Sequence, residues 1–147
     1  MMLLLFAACE SKVYVPTESA VSGTVMEFGM TGGWCAPSVF YRLTETTLLS
    51  GNVKGCYNGE VISYGSDALP DSSYQRVKEL RTYFPAELTD KPNSTWGCPN
   101  CYDQGTIWVM STHNGVKTNW KLDPRATDLP QDVILFIEKF NWTIARL

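Results

Sequence analysis

Polar and apolar positions along the chain fall into strand-like and helix-like blocks. Residues 21–28, Val-Ser-Gly-Thr-Val-Met-Glu-Phe, combine β-branched and apolar residues and predict a first strand. Gly29-Met30-Thr31-Gly32-Gly33-Trp34 follows, with turn chemistry supplied by its glycines. Residues 39–49 carry Val39, Phe40, Tyr41, Thr44, Thr46 and Thr47 and predict a second strand. Residues 50–70 read as a Gly-, Asn- and Ser-rich connection that contains Cys56. A loop of that length is uncommon unless something staples it.

A helical period begins near Ser72, where Ser72 and Gln75 make a capping-box pattern. Tyr74, Val77, Leu80 and Phe84 share one stripe, Arg76, Lys78, Glu79 and Arg81 stay outside it, and Pro85 ends the helix. Two alternating runs, residues 107–113 and 116–122, flank Asn114-Gly115, the favoured pair for a two-residue hairpin turn. That turn sets His113 opposite Val116, Ser111 opposite Thr118, Val109 opposite Trp120 and Ile107 opposite Leu122. These eight make one mostly apolar face, the expected core side. A last helix covers residues 129–146, with Asp128 and Gln131 framing its start, Pro130 in its first turn, and Val133, Ile137, Phe140, Ile144 and Leu147 on its buried stripe. The order β-β-α-β-β-α predicts an α+β fold, an antiparallel sheet of about four strands with two helices packed on one face.

That architecture leaves a second sheet face carrying Trp108, Met110, Thr112, Lys117, Asn119 and Lys121. With helices on one side only, this face meets solvent. Trp108 and Met110, rimmed by Lys117, Asn119 and Lys121, then form a candidate contact patch. The competing expectation is that residues 13–16 or the 50–70 loop cover it. Gly32, Gly33 and Trp34 make a second candidate contact, because glycines let a partner's backbone approach closely.

Composition narrows the class. The chain has 147 residues, enough for one core, with 44% apolar and 18% charged residues, as in folded proteins. A net charge of -3 and aromatic residues without basic clustering argue against nucleic acid as a partner. The longest apolar stretch near the C-terminus, residues 133–137, is far short of the roughly 20 residues of a spanning helix.

Residues 1–10 read Met-Met-Leu-Leu-Leu-Phe-Ala-Ala-Cys-Glu. This apolar run, closed by two small residues and Cys9, resembles the end of a bacterial lipoprotein signal peptide. The resemblance implies removal of residues 1–8, acylation of Cys9, a polar tether over residues 9–20 and a folded domain over residues 21–147. It also implies a cell-envelope location with the membrane reached through the lipid anchor. Glu10, in place of the Asp that favours inner-membrane retention in enteric bacteria, points to the outer membrane, facing the periplasm.

With Cys9 assigned to the lipid, Cys35, Cys56, Cys98 and Cys101 remain, and an even number in an exported protein suggests disulfides. Three pairings are possible. We favour Cys35–Cys56 and Cys98–Cys101, and closing the first loop stabilises the fold by about 3 kcal/mol on the chain-entropy argument. Cys98-Pro99-Asn100-Cys101 also admits a thiol-redox site or, with Cys35 and Cys56, a zinc site. A redox site calls for a helix N-terminus after the first cysteine, whereas here a strand follows. His113 is the single histidine, beside a turn, and no nucleophile elbow or phosphate-cradling loop accompanies it. The sequence therefore predicts no catalytic residues, no metal and no cofactor.

The segment Glu27-Phe28-Gly29-Met30-Thr31-Gly32-Gly33-Trp34 is similar to the strand and Gly-Gly-aromatic opening of emfourin-like proteins, small bacterial inhibitors of thermolysin-type metalloproteases. The order of the later elements resembles that family too, over roughly residues 23–146. The 51–70 loop and the Cys98–Cys101 segment depart from it. The chain also resembles envelope lipoproteins with a Cys-Pro-x-Cys segment before a strand hairpin. The resemblances imply a non-catalytic binding module, inhibitory towards a protease in the narrower reading, whose partner is a protease or an envelope protein. The alternative class is a thiol-redox or metal-handling protein using Cys98 and Cys101.

Overall fold

The structure is a computed structural model that describes residues 24–147, so Cys9 and the expected tether lie outside the described residues. Six strands form one sheet: β1 (Val25–Thr31), β2 (Ser38–Leu43), β3 (Leu48–Val53), β4 (Ser94–Trp96), β5 (Thr106–His113) and β6 (Val116–Leu122). Three helices accompany them: α1 (Asp71–Arg81), α2 (Ala86–Asp90) and α3 (Gln131–Ile144). The strand order is β3-β2-β1-β5-β6-β4. The α+β class stands, but the expected four antiparallel strands and two helices become a mixed sheet of six strands with three helices.

Two differences account for the extra strands. The run expected as one strand over residues 39–49 is a hairpin, β2 and β3, folded back at Thr44–Thr47. The Thr44 hydroxyl accepts the Thr47 amide hydrogen at 2.9 Å and lies 2.8 Å from the Thr47 hydroxyl, so threonine side chains close a turn without Gly or Pro. The second is β4, three residues paired parallel to β6, with Trp96 opposite Leu122. The Asn93 side-chain oxygen accepts the Asn119 backbone N–H at 3.1 Å beside this pairing.

The β5–β6 hairpin has the register that its Asn-Gly turn predicts: His113 opposite Val116, Ser111 opposite Thr118, Val109 opposite Trp120, Ile107 opposite Leu122. Helix α1 begins one residue before Ser72. Pro70 sits at its N-cap, and Gln75 bonds Asp71 rather than closing a capping box with Ser72.

The helices bury one sheet face. Phe28, Val109, Trp120 and Leu122 from the strands meet Val77, Leu80, Phe84, Val133, Phe136, Ile137 and Phe140 from the helical side. Phe136, outside the stripe read from sequence, is fully buried against Phe84 and Phe140. The Trp120 indole N–H donates to Leu88 O at 2.6 Å and thereby ties α2 to the sheet. A buried indole that finds an acceptor avoids a desolvation cost of about 1–3 kcal/mol.

The opposite face is also buried, which corrects the expectation of an exposed Trp108 and Met110 and agrees with the competing one, that the 50–70 loop covers them. Trp108 is 7% and Met110 2% exposed. They pack in a second cluster with Phe40, Val53, Tyr57 and Ile62, the last two supplied by the 54–63 loop. The cause is local. Gly29 lies opposite both Phe40 and Trp108, and a Cβ there would come 2.7 Å from the Phe40 ring. The bare backbone lets the Phe40 ring lie against it, and Tyr57 packs on that ring, its centroid 4.6 Å from Phe40 and 4.8 Å from Trp108. The Lys121 ammonium covers the Trp108 ring from the neighbouring strand at 4.7 Å. Lys121 is thus part of this packing and not the rim of an open patch.

Candidate functional site: one pole of the sheet

Strand pairing places the chain's unusual residues at one end of the sheet. Thr31 pairs with Thr106, Ile107 with Leu122, Trp96 with Leu122 and Ser38 with Val53. The connections leaving these residues, 32–37, 54–63, 97–105 and 123–130, therefore start or end at the same pole. They carry Trp34, Tyr102 and all four cysteines of the described residues. The other pole holds the Asn114-Gly115 turn, the Thr44–Thr47 turn and the start of β1. There the Thr24 hydroxyl lies 3.2 Å from the His113 ring Nδ1. At about 3.3 Å per residue, a seven-residue strand separates the poles by roughly 20 Å.

Both favoured cysteine pairs come together. Cys35 and Cys56 are bonded with Cα atoms 4.2 Å apart, and Cys98 and Cys101 with Cα atoms 5.5 Å apart. The first ties the β1–β2 connection to the loop that follows β3. The second closes a tight turn, in which the Cys101 amide donates to Cys98 O at 3.2 Å. The Cys98–Cys101 turn leads through Gly105 into β5. No helix begins at Cys98.

The two stapled loops interlock through backbone. A Cβ at Gly33 would come 2.4 Å from Asp103 O, and one at Gly105, whose φ is +85°, would come 2.0 Å from Thr31 O. Gly33 was expected to admit a partner's backbone. Its space is instead occupied by Asp103 of the same chain, and Gly105 is the matching residue that sequence reasoning missed. Gly32 is exposed and meets only Ala36. Asp123, buried below the turn, accepts the Cys98 amide at 3.2 Å and the Arg125 amide at 2.9 Å, which fixes the 123–128 turn against the Cys98 loop.

From this interlocked base two aromatic side chains project into solvent. Trp34 is 90% exposed and Tyr102 86% exposed. They flank the Gly33–Asp103 contact in sequence, one residue away on each side. Trp34 and Cys35 occupy the left-handed region, with φ of 57° and 56°. Such backbone costs about 1–3 kcal/mol per residue and persists only where the surroundings impose it. Here the Cys35–Cys56 bond and the Gly33–Asp103 contact supply the constraint. Beside Tyr102, a shallow cleft of about 510 Å³ opens towards Gln104, Asp123, Arg125 and Asp128 and gives that side chain a polar border.

A charged cluster lies towards the other pole, near the Asn114-Gly115 and Thr44–Thr47 turns. Glu27 is buried on the loop-covered face. It accepts hydrogen bonds from Arg42 at 2.7 and 3.1 Å, and the Lys117 ammonium lies 3.0 Å from its second oxygen. Burial raises the Glu27 carboxyl, but the hydrogen bonds and attraction of Arg42 and Lys117 outweigh it and hold the group below its ordinary value. The Arg42 guanidinium stacks on Tyr64 at 4.2 Å. Burial, and then the nearby Glu27 charge, push the Tyr64 phenol upward, and the same causes push Tyr57 up to about 12. These tyrosines stay neutral at physiological pH and act as packing groups.

The fold and this pole define a class: an α+β protein whose mixed sheet carries two disulfide-stapled loops and two projecting aromatic residues at one end. No protein-family model matches the chain, and no curated protein matches it significantly.

Proposed function

We propose that this protein is a non-catalytic binding module of the bacterial cell envelope. It is anchored through a lipid on Cys9 and engages a protein partner with the pole that carries Trp34 and Tyr102. The observation that carries this reading is the presentation of two almost fully exposed aromatic side chains on interlocked, disulfide-stapled loops. An isolated exposed apolar residue is ordinary, but a Trp next to a disulfide-bonded residue in constrained backbone has less backbone freedom to lose on binding. Trp and Tyr are also enriched among residues that dominate binding energy.

Orientation supports the same reading. Residue 24 enters the sheet at the pole opposite Trp34, so the point where the proposed anchor joins the fold and the aromatic pole lie at different ends of the sheet. The narrower role, inhibition of a thermolysin-type metalloprotease, rests on the likeness of residues 27–34 and is tested by titrating thermolysin with the protein. The general reading is tested with the W34A/Y102A double variant. It should keep its stability within about 0.5 kcal/mol, as expected of exposed positions, and lose capture of the partner. Unchanged capture overturns the reading.

A further inference from the structure

The 54–63 loop covers the Phe40–Trp108–Met110 surface, and its attachments are few. It leaves β3 at Val53 and returns at Tyr64, which bridges Gly51, while the Gly65 amide donates to Ser50 O at 2.9 Å. Both ends are thus fixed to the same strand, β3, at the margin of the sheet. Between those ends, two side chains reach inward. Tyr57 wedges between Phe40 and Trp108 and donates its hydroxyl to Met110 Sδ at 3.3 Å, and Ile62 packs beside it. Lys54, Asn58, Gly59, Glu60, Val61 and Ser63 face solvent. Among the described residues, the loop's one covalent tie to another element is the Cys56–Cys35 bond.

We propose that the Cys35–Cys56 bond is a redox latch on this loop. Cys35 and Cys56 are both exposed, so a dithiol reductant reaches the sulfurs without prior unfolding. The dithiol supplies two electrons and two protons and itself closes to a disulfide. The Sγ–Sγ bond breaks and leaves a thiol on Cys35 and another on Cys56. Reduction removes one of the two constraints that hold Trp34 and Cys35 in the left-handed region, and this relief favours the open form. The loop then opens more often on its β3 attachments and transiently uncovers Phe40, Trp108 and Met110. The helix-side core is on the other face of the sheet, does not include Cys35, Cys56 or the loop, and stays packed. The latch does not rest on the binding reading, but both act through the same bond, and reduction also loosens Trp34.

The test uses the full chain in native buffer with dithiothreitol. Free thiols are alkylated and located by peptide mapping, and amide hydrogen exchange is followed on the same sample. The expected result is alkylation of Cys35 and Cys56, exchange across residues 54–63 faster by about tenfold or more, and unchanged protection in β1, β5 and α3. The C98S/C101S variant should respond in the same way, which assigns the effect to Cys35–Cys56. The C35S/C56S variant should show the fast exchange without reductant. Reduction with unchanged loop protection overturns the latch. So does loss of protection in every element together, or a bond that reduces only after denaturation.

Discussion

The Tyr57 ring stands at 82° to the Trp108 indole, with centroids 4.8 Å apart. A residue from a polar loop therefore completes the core of a sheet face that periodicity marked as open. Trp108 loses its role as a surface contact and becomes structural. Changing Trp108 or Tyr57 to Ala should each cost about 3 kcal/mol or more, because the cavity cannot close between Phe40 and Met110. Chemical denaturation of the purified variants measures this, and a loss near zero would show that the loop does not pack as described.

Gly33 and Asp103 join the two stapled loops without side-chain intermediaries. Gly33→Ala should displace the 97–105 loop, since a Cβ would meet Asp103 O at 2.4 Å. The expected cost is about 1–3 kcal/mol, as for overpacked sites. Gly55→Ala is a useful contrast: its φ of +83° is strained for Ala, but a Cβ there meets nothing within 4 Å. Chemical shifts of Tyr102 and Asp103 should move in the first variant and stay in place in the second.

Glu27 sets a pH dependence. Its carboxyl binds protons less readily in the folded state than in the unfolded chain, whose value lies near the ordinary 4.5. As pH falls, the unfolded state takes up the proton first, so stability is drawn down. The contribution is fully present above the ordinary value and lost as pH drops below it through the lowered folded value. Denaturation midpoints of the native protein should therefore fall on acidification below 4.5. The Glu27→Gln variant should start lower by about 1–3 kcal/mol at neutral pH, the usual loss for a hydrogen bond to a charged group, and show a flatter decline. Parallel acid titrations would contradict this assignment.

Cys9 is expected to carry the lipid. Cys9→Ser should transfer the protein from the membrane fraction to the soluble fraction of its native host. Unchanged fractionation argues for another mode of attachment.

The sequence made parts of this fold legible because some local signals have one geometric solution. Asn114-Gly115 allows a two-residue turn, and the whole β5–β6 register follows from it. The helical stripes are equally direct, since Val77, Leu80, Val133 and Phe140 repeat at 3.6-residue spacing. The Thr44–Thr47 turn carried no Gly or Pro, so β2 and β3 read as one strand. Strand β4 is too short for periodicity, and its parallel pairing with β6 depends on contacts distant in sequence. The burial of Trp108 was legible only as the competing expectation that the 50–70 loop covers its face; the residues that do so were not, because Tyr57 and Ile62 sit singly among polar residues, where alternation carries no signal. Trp34 stood out in the sequence as a candidate contact from its Gly-Gly turn, but Tyr102 did not. Its place in the proposal depends on the pairing of Thr31 with Thr106, which brings the two loops to one pole.

The central claim is that the Trp34–Tyr102 pole, and no other surface of comparable exposure, meets the partner. A photo-crosslinking amino acid placed singly at positions 34, 102 and 116 in the native host tests it most directly, since Val116 is 68% exposed at the opposite pole. The account predicts one adduct of the same mass from positions 34 and 102 and none from position 116. An adduct from position 116 alone, or no adduct from positions 34 and 102, would contradict it.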